Sequence, residues 1–390
     1  MGYPDTGKNP GEYSGTFLFL FLPDFLTAKP LLQSIKRRFN LGNKNYLKIL
    51  CLFLMLGLLC ESAAAQVSGS SGNRIWDANL SQNLTYTWTP QTYSGFYYDL
   101  DTGEGSENMT IQLTEGSRSV QRNGLQYETR PIETNFEYGN WGSYQVIGFM
   151  AERYFAGYTE NSNFVNDDIS VISDGQLSKI LIDSDDRKSL YTGSSLILEE
   201  GYSLNIVEVD VNGNTVWVQL EKDGDVIDNG FLSSNSNYVY ETDLGDADDV
   251  PLIAVHLAQI FRGTETNAIF VEGIFQISDE YVQIENGDRF GKMEISSTSS
   301  SGIIMRNRDS FTLGRGDTVD IMGKLSFVVA DSSELRFAPI VEISEPGTYE
   351  LRGTVHDETF NTTVWTPYNF EGFYYSIDEN VSTESLPLTE

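Results

Sequence analysis

The sequence predicts an all-β protein built from tandem antiparallel β-sandwich subdomains. Short runs in which apolar and polar residues alternate indicate strands, and Asn-Gly and Asp-Gly pairs separate several of these runs. In addition, no window longer than about a dozen residues combines a helical apolar period with capping residues. Short alternating strands with closely spaced turn signals are typical of sandwiches, which is why we expect that architecture.

The clearest predicted element is a hairpin around Asn212-Gly213. Residues 206–211 and 214–220 alternate between apolar and polar side chains on either side of this pair. Asn-Gly is a strong signal for a two-residue hairpin turn. Asp223-Gly224 then predicts a second turn. Further β-rich runs continue the pattern along the chain, at residues 250–261, 268–277, 302–305 and 324–329.

Two shorter segments resemble each other, residues 195–206 and residues 310–321. Their apolar positions correspond, and Gly201 and Gly316 occupy the same turn position. The pattern predicts that one strand–turn–strand hairpin occurs twice. We therefore expect two related β-sandwich subdomains, residues 74–186 and residues 187–342.

A longer repeat sets the overall organisation. Residues 88–101 (WTPQTYSGFYYDLD) return as residues 365–378 (WTPYNFEGFYYSID), with eight of the fourteen positions identical. This spacing predicts one complete unit and, at residues 343–390, the truncated start of a second duplication unit. The aromatic side chains of the repeat allow two interpretations, a sugar-binding platform at Trp88 or a structural strand with tyrosines at its rim. The structural interpretation is favoured, because nothing else in the sequence converges on a sugar site.

The amino-terminal region is typical of an exported protein. Residues 1–46 form an extension that a mis-assigned translation start would explain, and residues 47–65 contain an apolar run of twelve residues followed by Ala63 and Ala65. A membrane span needs about 20 apolar residues, so this segment predicts a signal peptide cleaved after Ala65. Residues 66–73 form a Ser/Gly-rich linker. We expect no membrane span in the mature chain.

Charge and cysteine content exclude several classes of function. The chain has 25 basic and 56 acidic side chains, and residues 1–65 contain 7 and 4 of them, which leaves 18 and 52 in the mature part. Such a negative chain repels nucleic acid and attracts cations, which would screen repulsion between subunits. Both cysteines, Cys51 and Cys60, precede Ala65. The mature chain is therefore expected to form no disulfide, thiolate nucleophile or cysteine-based metal site.

No catalytic or cofactor motif is present, so we predict no catalytic, cofactor-binding or metal residues and no enzyme. His256, one of two histidines with His356, is expected to be a hydrogen-bonded sheet residue. Carboxylates cluster in short loops, and their oxygens are the ligands that calcium prefers, although none of these loops matches a calcium-binding motif. The most acidic loop contains Asp243, Asp246, Asp248 and Asp249. Carboxylate pairs, as in a secreted hydrolase, depend on three-dimensional spacing and stay open at this point.

Five Asn-x-Ser/Thr sequences are candidate glycosylation sites. All of them lie near a copy of the long repeat, and none lies between residues 109 and 360, which suggests a glycan-bearing face. They are Asn79, Asn83, Asn108, Asn361 and Asn380.

Several motifs in order make the chain similar to the surface-layer duplication-domain family of methanogenic archaea. They are the two copies of the long repeat and residues 273–279 (GIFQISD), 290–293 (FGKM), 327–332 (FVVADS) and 346–353 (PGTYELRG). The resemblance covers residues 74–390. It implies units that are pairs of β-sandwich domains and that tile the cell surface as a porous, acidic lattice of like subunits.

We accordingly expect a structural, glycosylated, extracellular cell-envelope protein whose partners are copies of itself or related surface-layer subunits. The alternative is a secreted carbohydrate-binding or adhesion module. For the alternative, the sequence offers Trp88 and the tripeptide Arg315-Gly316-Asp317.

Overall fold

A computed structural model describes residues 73–80, 83–210, 212, 214–262, 267–344, 351–355 and 362–389. The expected signal peptide, almost all of the expected linker, His356 and Asn361 lie outside the described residues. The described part of the chain is built from strands, with two short 3-10 helices at Gly139–Trp141 and Val171–Asp174 and no α-helix. The all-β prediction is therefore confirmed.

The first thirteen strands run to the middle of the chain. They are β1 (Trp76–Asp77), β2 (Thr85–Trp88), β3 (Tyr98–Asp99), β4 (Glu104–Gly105), β5 (Glu107–Gln112), β6 (Ser119–Val120), β7 (Leu125–Thr129), β8 (Ile132–Asn135), β9 (Gly142–Phe149), β10 (Glu152–Ser162), β11 (Ile169–Ser170), β12 (Gln176–Ser184) and β13 (Lys188–Tyr191).

The remaining strands complete the fold. They are β14 (Ser195–Ile197), β15 (Tyr202–Asp210), β16 (Thr215–Lys222), β17 (Asp225–Ser233), β18 (Ser236–Leu244), β19 (Ala247–Arg262), β20 (Asn267–Gln283), β21 (Arg289–Phe290), β22 (Met293–Ser299), β23 (Gly302–Asn307), β24 (Phe311–Thr312), β25 (Thr318–Met322), β26 (Leu325–Val329), β27 (Arg336–Val341), β28 (Thr362–Trp365), β29 (Tyr375–Ser376), β30 (Val381–Ser382) and β31 (Leu386–Thr389).

One sandwich packs a four-stranded sheet, in the order β1-β27-β26-β25, against a six-stranded sheet in the order β2-β5-β7-β23-β22-β21. Trp88 lies between them, with its ring centroid 5.5 Å from Phe327 and 5.8 Å from Phe337. We call the apolar interior of this sandwich the first core. Its members are buried, so it contributes the hydrophobic free energy that fixes the repeated motif in place.

The other sandwich packs the four-stranded sheet β14-β15-β16-β17 against a nine-stranded sheet. The path of the large sheet is β18-β19-β20-β12-β10-β9-β8, with β11 paired to β10 and β13 paired to β20. We call this interior the second core. Leu204 and Val218 enter it from one sheet, and Val255 and Phe275 enter it from the other.

The two cores share the nine-stranded sheet. On β9, Val146 belongs to the second core and Ile147 to the first, and on β10 Phe155 and Ala156 divide in the same way. This follows from the strand geometry, because successive side chains point to opposite faces of a sheet. The described residues accordingly lie in one compact unit, Val67–Glu390.

The chain runs back and forth between the sandwiches. The six-stranded sheet takes β2, β5 and β7 from before the second sandwich and β21, β22 and β23 from after it. The expected boundary after Asp186 falls between β12 and β13, which both pair with β20. The division of the chain into residues 74–186, 187–342 and 343–390 stays a prediction.

The predicted hairpin around Asn212-Gly213 is confirmed, because β15 and β16 pair with Asp210 opposite Thr215. Asp223-Gly224 joins β16 to β17, with φ angles of 52° and 92°. The two shorter similar segments are only partly alike. Their glycines, Gly201 and Gly316, both adopt positive φ, but β24 pairs with β6 instead of closing a hairpin with β25. The prediction of a second hairpin is therefore wrong, because a strand from much earlier in the chain takes that edge.

Candidate functional site at the repeated motif

The long repeat adopts the same strands in both of its copies. β2, β3, β4 and β5 of the first copy correspond, in the same order, to β28, β29, β30 and β31 of the second. The pairing registers also agree, with Trp88 opposite Met109 and Trp365 opposite Leu386. We call residues 73–112 the first motif module and residues 351–389 the second motif module.

Trp88 anchors the first motif module from the inside. Its side chain is 0% exposed, and its indole Nε1 donates a hydrogen bond to the carbonyl of Arg74 at 2.8 Å. Trp365 Nε1 likewise donates to a backbone carbonyl that precedes its own motif, that of Thr354, at 3.1 Å. A ring that is fully buried cannot stack on a sugar, so the structural interpretation of the repeat holds at Trp88.

Gly95 is repeated for a steric reason. The Tyr93 ring folds over it so closely that a Cβ added at Gly95 would lie 2.7 Å from Tyr93 Cζ. In the second module a Cβ at Gly372 would lie 2.7 Å from Phe370 Cζ. The hydroxyl of Tyr93 is buried and has no hydrogen-bond partner among the described residues, and Phe370 lacks this hydroxyl altogether.

Glu107 is a carboxyl group buried at the centre of the first motif module. Oε1 accepts hydrogen bonds from the Tyr127 hydroxyl at 2.7 Å and from the Ala151 amide at 2.9 Å, and Oε2 accepts one from the Tyr97 amide at 3.1 Å. Loss of solvation raises the pKa of Glu107 to about 7, although these hydrogen bonds lower it. Glu384 is its exposed equivalent and accepts the same bond, from the Tyr374 amide at 2.9 Å.

The two motif modules contact each other directly. Arg74 donates its backbone amide to the carbonyl of Tyr368 at 2.7 Å and its Nε to the carbonyl of Pro367 at 3.1 Å. In the opposite direction, the Val355 amide donates to the carbonyl of Gln91 at 2.9 Å.

Arg352 reaches in that same direction. Its guanidinium donates to the carbonyl of Pro90 and, at 3.0 Å, to the carbonyl of Phe96. The hydroxyl of Ser94 also donates a hydrogen bond to Glu371 Oε2 at 2.6 Å. Neither Arg74 nor Arg352 was predicted from the sequence, although one arginine precedes each Trp-Thr-Pro at nearly the same spacing.

A buried ion pair links the first core to the second motif module. Arg336 Nε lies 2.7 Å from Asp77 Oδ2, and both side chains are almost completely buried. The same guanidinium donates to the carbonyl of Ile377 at 2.6 Å. Asp331 adds a further contact, because its amide donates to Asp378 Oδ1 at 2.7 Å. The second motif module is thus held by a polar side chain, that of Arg336, and by a backbone amide, that of Asp331.

The candidate glycosylation sites divide by exposure. Asn79, Asn83 and Asn380 are exposed, whereas Asn108 lies within β5 and is half-buried. In the second motif module the amide oxygen of Asn380 accepts hydrogen bonds from two tyrosine hydroxyls, those of Tyr368 and Tyr375, so the side-chain oxygen and not the nitrogen holds it in place. The five sites stay predictions, and Asn361 lies outside the described residues.

Within the described ranges, no group of three or more His, Cys, Asp or Glu side chains is arranged to hold a metal ion. The loop with Asp243 and Asp249 is the β18–β19 turn, where the Asp249 amide donates to Asp243 Oδ1 at 3.3 Å. His256 is a hydrogen-bonded sheet residue as predicted. Its Nδ1 lies 2.8 Å from Asn237 Oδ1, and desolvation lowers its pKa. In the adhesion-like tripeptide, Gly316 forms a turn and Arg315 pairs with Asp331 at 3.1 Å.

Two cavities in the described part of the chain are each lined by two acidic side chains. One, of about 460 Å³, is lined by Glu115 and Glu334, and another, of about 360 Å³, by Glu152 and Glu371. Glu152 is paired with Lys324 at 2.9 Å, and hydrogen bonds and charge from its lysine partners hold its pKa below its usual value despite partial burial. Glu107, whose pKa burial raises, lines neither cavity.

An aromatic pair lies on the outer face of the β14–β17 sheet. Phe231 is 72% exposed and sits opposite Trp217, with ring centroids 6.0 Å apart and an interplanar angle of 21°. The next outward-facing pair on the same two strands is Gln219 opposite Asn229. Phe231 and Asn229 are exposed and Trp217 and Gln219 are half-buried, and we call this patch of rings and amides the outer aromatic patch.

Comparison with known proteins gives consistent results. A family model described as S-layer protein matches residues 77–331. A major S-layer protein of Methanosarcina mazei is 34% identical over 335 residues, which cover 83% of this chain and 48% of that protein. A major S-layer protein of Methanosarcina acetivorans is 36% identical over 364 residues, covering 86% and 52%. One of Methanosarcina barkeri is 34% identical over 311 residues, covering 76% and 44%. The chain spans about half the length of these relatives. In its described part, no helix is long and apolar enough to cross a membrane.

Proposed function

The chain belongs to the S-layer protein family, and on this basis we propose that it is a structural component of a cell-surface layer, without enzymatic activity. The observation that carries the proposal is the similarity of most of the chain to proteins named major S-layer protein. The fold supports it, because two sandwiches that share one sheet make a stiff body suited to a mechanical role. Under this proposal the protein is exported and works outside the cell.

The charge of the chain supports an anionic lattice whose assembly depends on cations. With 52 acidic and 18 basic side chains from residue 66 onwards, neighbouring subunits repel one another unless ions screen them. Sedimentation of the purified full chain tests this. We expect particles to form with millimolar calcium or at raised ionic strength and to disperse with a chelator at low ionic strength. Assembly that is indifferent to both conditions would contradict the proposal.

The outer aromatic patch is the surface that we propose for contact with neighbouring subunits. Phe231, at 72% exposure, lies beside Trp217 on the outer face of this sheet, and Ile197, at 71%, is exposed on the opposite edge strand of the same sheet. Large apolar side chains grouped on one face are typical of interaction surfaces. Phe231→Ser should reduce sedimentation under assembling conditions, whereas Val381→Ser, an exposed apolar position in the second motif module, should leave it unchanged.

A carbohydrate-binding function is the second candidate, and the outer aromatic patch, not Trp88, supports it. Rings flanked by amides such as Gln219 and Asn229 suit a neutral sugar, because one face can stack and the hydroxyls can hydrogen-bond. Saturable binding of a neutral oligosaccharide that is lost in Phe231→Ala would favour this function. If the same variant still assembles normally, the patch would serve carbohydrate binding and not contact between subunits.

Glycosylation is proposed at the exposed acceptors Asn79, Asn83 and Asn380. Peptide-mapping mass spectrometry of the native envelope fraction, with glycans retained, tests both location and modification. We expect an abundant product that begins at Gln66 and carries glycans at these residues. A product found only in the medium, or one without glycans, would contradict the corresponding part of the proposal.

A further inference from the structure

We infer that the two motif modules are related by a local two-fold axis. On this view the surface formed by Arg74, Pro90, Gln91 and Ser94 recognises the equivalent surface of another copy of the same motif. The partner of this surface is thus identified chemically, as a polypeptide that offers an arginine and a backbone amide in the same arrangement. The inference rests on contacts within the chain and does not depend on the proposed function.

The position of the axis follows from Ser94 and Glu371. These residues occupy equivalent positions in the two copies of the repeat, and their side chains are hydrogen-bonded at 2.6 Å. A two-fold rotation exchanges equivalent positions. Two equivalent residues can therefore touch only where they lie next to the axis itself.

Away from the axis, equivalent carbonyls of the two modules each accept a hydrogen bond from the other module, which is the pattern expected near a two-fold axis. The carbonyl of Tyr368 accepts from the Arg74 amide, and that of its equivalent Gln91 accepts from the Val355 amide. An arginine from each module also donates to the equivalent proline of the other, Arg74 to Pro367 and Arg352 to Pro90. Equivalent carbonyls of the two modules therefore both accept from the other module, although Arg74 supplies both donors on one side and Arg352 and Val355 supply them on the other.

The repeated turn explains why these carbonyls need partners. In the first module the amides of Thr92 and Tyr93 both donate to Thr89, and in the second the amides of Asn369 and Phe370 both donate to Thr366. This tight turn directs the carbonyls of the two residues at its tip away from their own module. Such groups must find donors in the partner or in water, so the same sequence creates the same requirement twice.

The symmetry is approximate in further contacts as well. Arg352 also donates to the carbonyl of Phe96 and lies over the Tyr98 ring at 5.1 Å. At the axis itself the two equivalent residues also differ, because Ser94 has a hydroxyl and Glu371 a carboxylate. An interface of this kind closes after two modules and cannot propagate, which places any lattice contacts on other surfaces.

The first test changes the charge beside the axis in the full chain. Ser94→Glu places a second carboxylate against Glu371, whereas Ser94→Lys places a cation there. We would follow hydrogen exchange by mass spectrometry on peptides with residues 351–355 and 366–370. Exchange should be about tenfold faster in Ser94→Glu, because one like-charge contact weakens the interface. It should be unchanged or slower in Ser94→Lys. Ser301→Glu, on the exposed turn between β22 and β23, is the matched control.

The lysine and glutamate variants must differ for the inference to stand. Equally accelerated hydrogen exchange in both variants would mean that residue 94 tolerates no long side chain and that the sign of its charge does not matter. Exchange equal to the parent protein in both would mean that Ser94 and Glu371 are not neighbours. Either result would overturn the proposed axis.

The second test uses reciprocity. Arg74→Ala and Arg352→Ala each remove a bond to the equivalent proline carbonyl of the other module, and Arg352→Ala also removes the bond to Phe96. Each should accelerate exchange on both sides of the interface, at residues 73–77 and at residues 351–355. Cysteines placed at Gln91 and Val355, with Cys51 and Cys60 replaced by serine, should also be joined by a short bismaleimide. Acceleration confined to one module, together with no cross-link, would overturn the inference even if a variant folds poorly.

Discussion

Ser94 and Glu371 hold the same place in two copies of one motif, and the hydroxyl of the first donates a 2.6 Å hydrogen bond to the carboxylate of the second. Each copy thus uses the same surface to contact the other. In the described part of the chain, the second motif module is held to the first unit by this surface, by the guanidinium of Arg336 and by the Asp331 amide. The repeat is therefore a binding element as well as a folding element.

Glu107 should make stability depend on pH. Its pKa is about 7 in the folded protein against 4.5 for the ordinary side chain, so between these values the folded state holds more protons than the unfolded state. The contribution of Glu107 to the free energy of unfolding is therefore fully present below pH 4.5. It falls by about 3 kcal/mol in total as the pH rises to 7. Urea unfolding of the full chain at a series of pH values measures this.

Glu107→Gln should flatten that part of the pH profile. Glu384→Gln is the matched control, because Glu384 occupies the equivalent position but is exposed, and we expect it to leave the profile unchanged. A parent protein whose stability is constant between pH 4.5 and 7 would show that Glu107 does not titrate in this range.

Tyr93→Phe should stabilise the protein. The Tyr93 hydroxyl is buried without a hydrogen-bond partner among the described residues, so its removal relieves an uncompensated loss of solvation of about 1 kcal/mol. Phe370 already fills the equivalent place in the second module. Tyr127→Phe is the contrasting variant, because it removes the bond to Glu107 and should destabilise by about 1–3 kcal/mol. A loss of stability in Tyr93→Phe would instead show that this hydroxyl has a partner such as bound water.

Asp77 and Arg336 should show strong coupling in a double-mutant cycle. Each single variant, Asp77→Leu or Arg336→Met, leaves a buried charge unpaired and should cost about 3–5 kcal/mol. The double variant should cost much less than the sum, because both charges are gone. Arg315→Ala is the control, since its pair with Asp331 is exposed and should be worth less than about 1 kcal/mol. Additive losses at Asp77 and Arg336 would contradict a buried pair.

Gly95→Ala should destabilise the first motif module by about 1–3 kcal/mol. The new methyl group would lie 2.7 Å from Tyr93 Cζ, and that ring is packed in the first core and cannot move freely. Gly139→Ala is a suitable control, because no atom lies within 4 Å of its added Cβ. Thermal unfolding of both variants measures the difference. Equal stability would mean that the Tyr93 ring shifts without cost.

Much of the local structure follows from the sequence. The Asn212-Gly213 hairpin lies where alternation and its turn pair predict it, because turn residues and side-chain periodicity act over a short stretch of chain. In the repeat, by contrast, the expected strand at residues 96–98 is mostly irregular, and only Tyr98–Asp99 is a strand. The similar segments at 195–206 and 310–321 show the limit. Their buried positions and turn glycines correspond, but β24 pairs with β6, a strand from much earlier in the chain. Local pattern fixes which face is buried and leaves the choice of edge partner open.

The sequence by itself determined the fold class, the family and the equivalence of the two motif copies, because these depend on composition, periodicity and repetition along the chain. Only the tertiary structure decided what the copies do. It buried Trp88 and so removed it as a sugar platform, and it exposed Phe231 on a sheet face that no motif marks. It also brought Ser94 against Glu371, Arg74 against Pro367 and Asp77 against Arg336. The members of each pair are far apart in the sequence. They become neighbours only because whole sheets are buried against one another, and no local pattern in the sequence reports that packing.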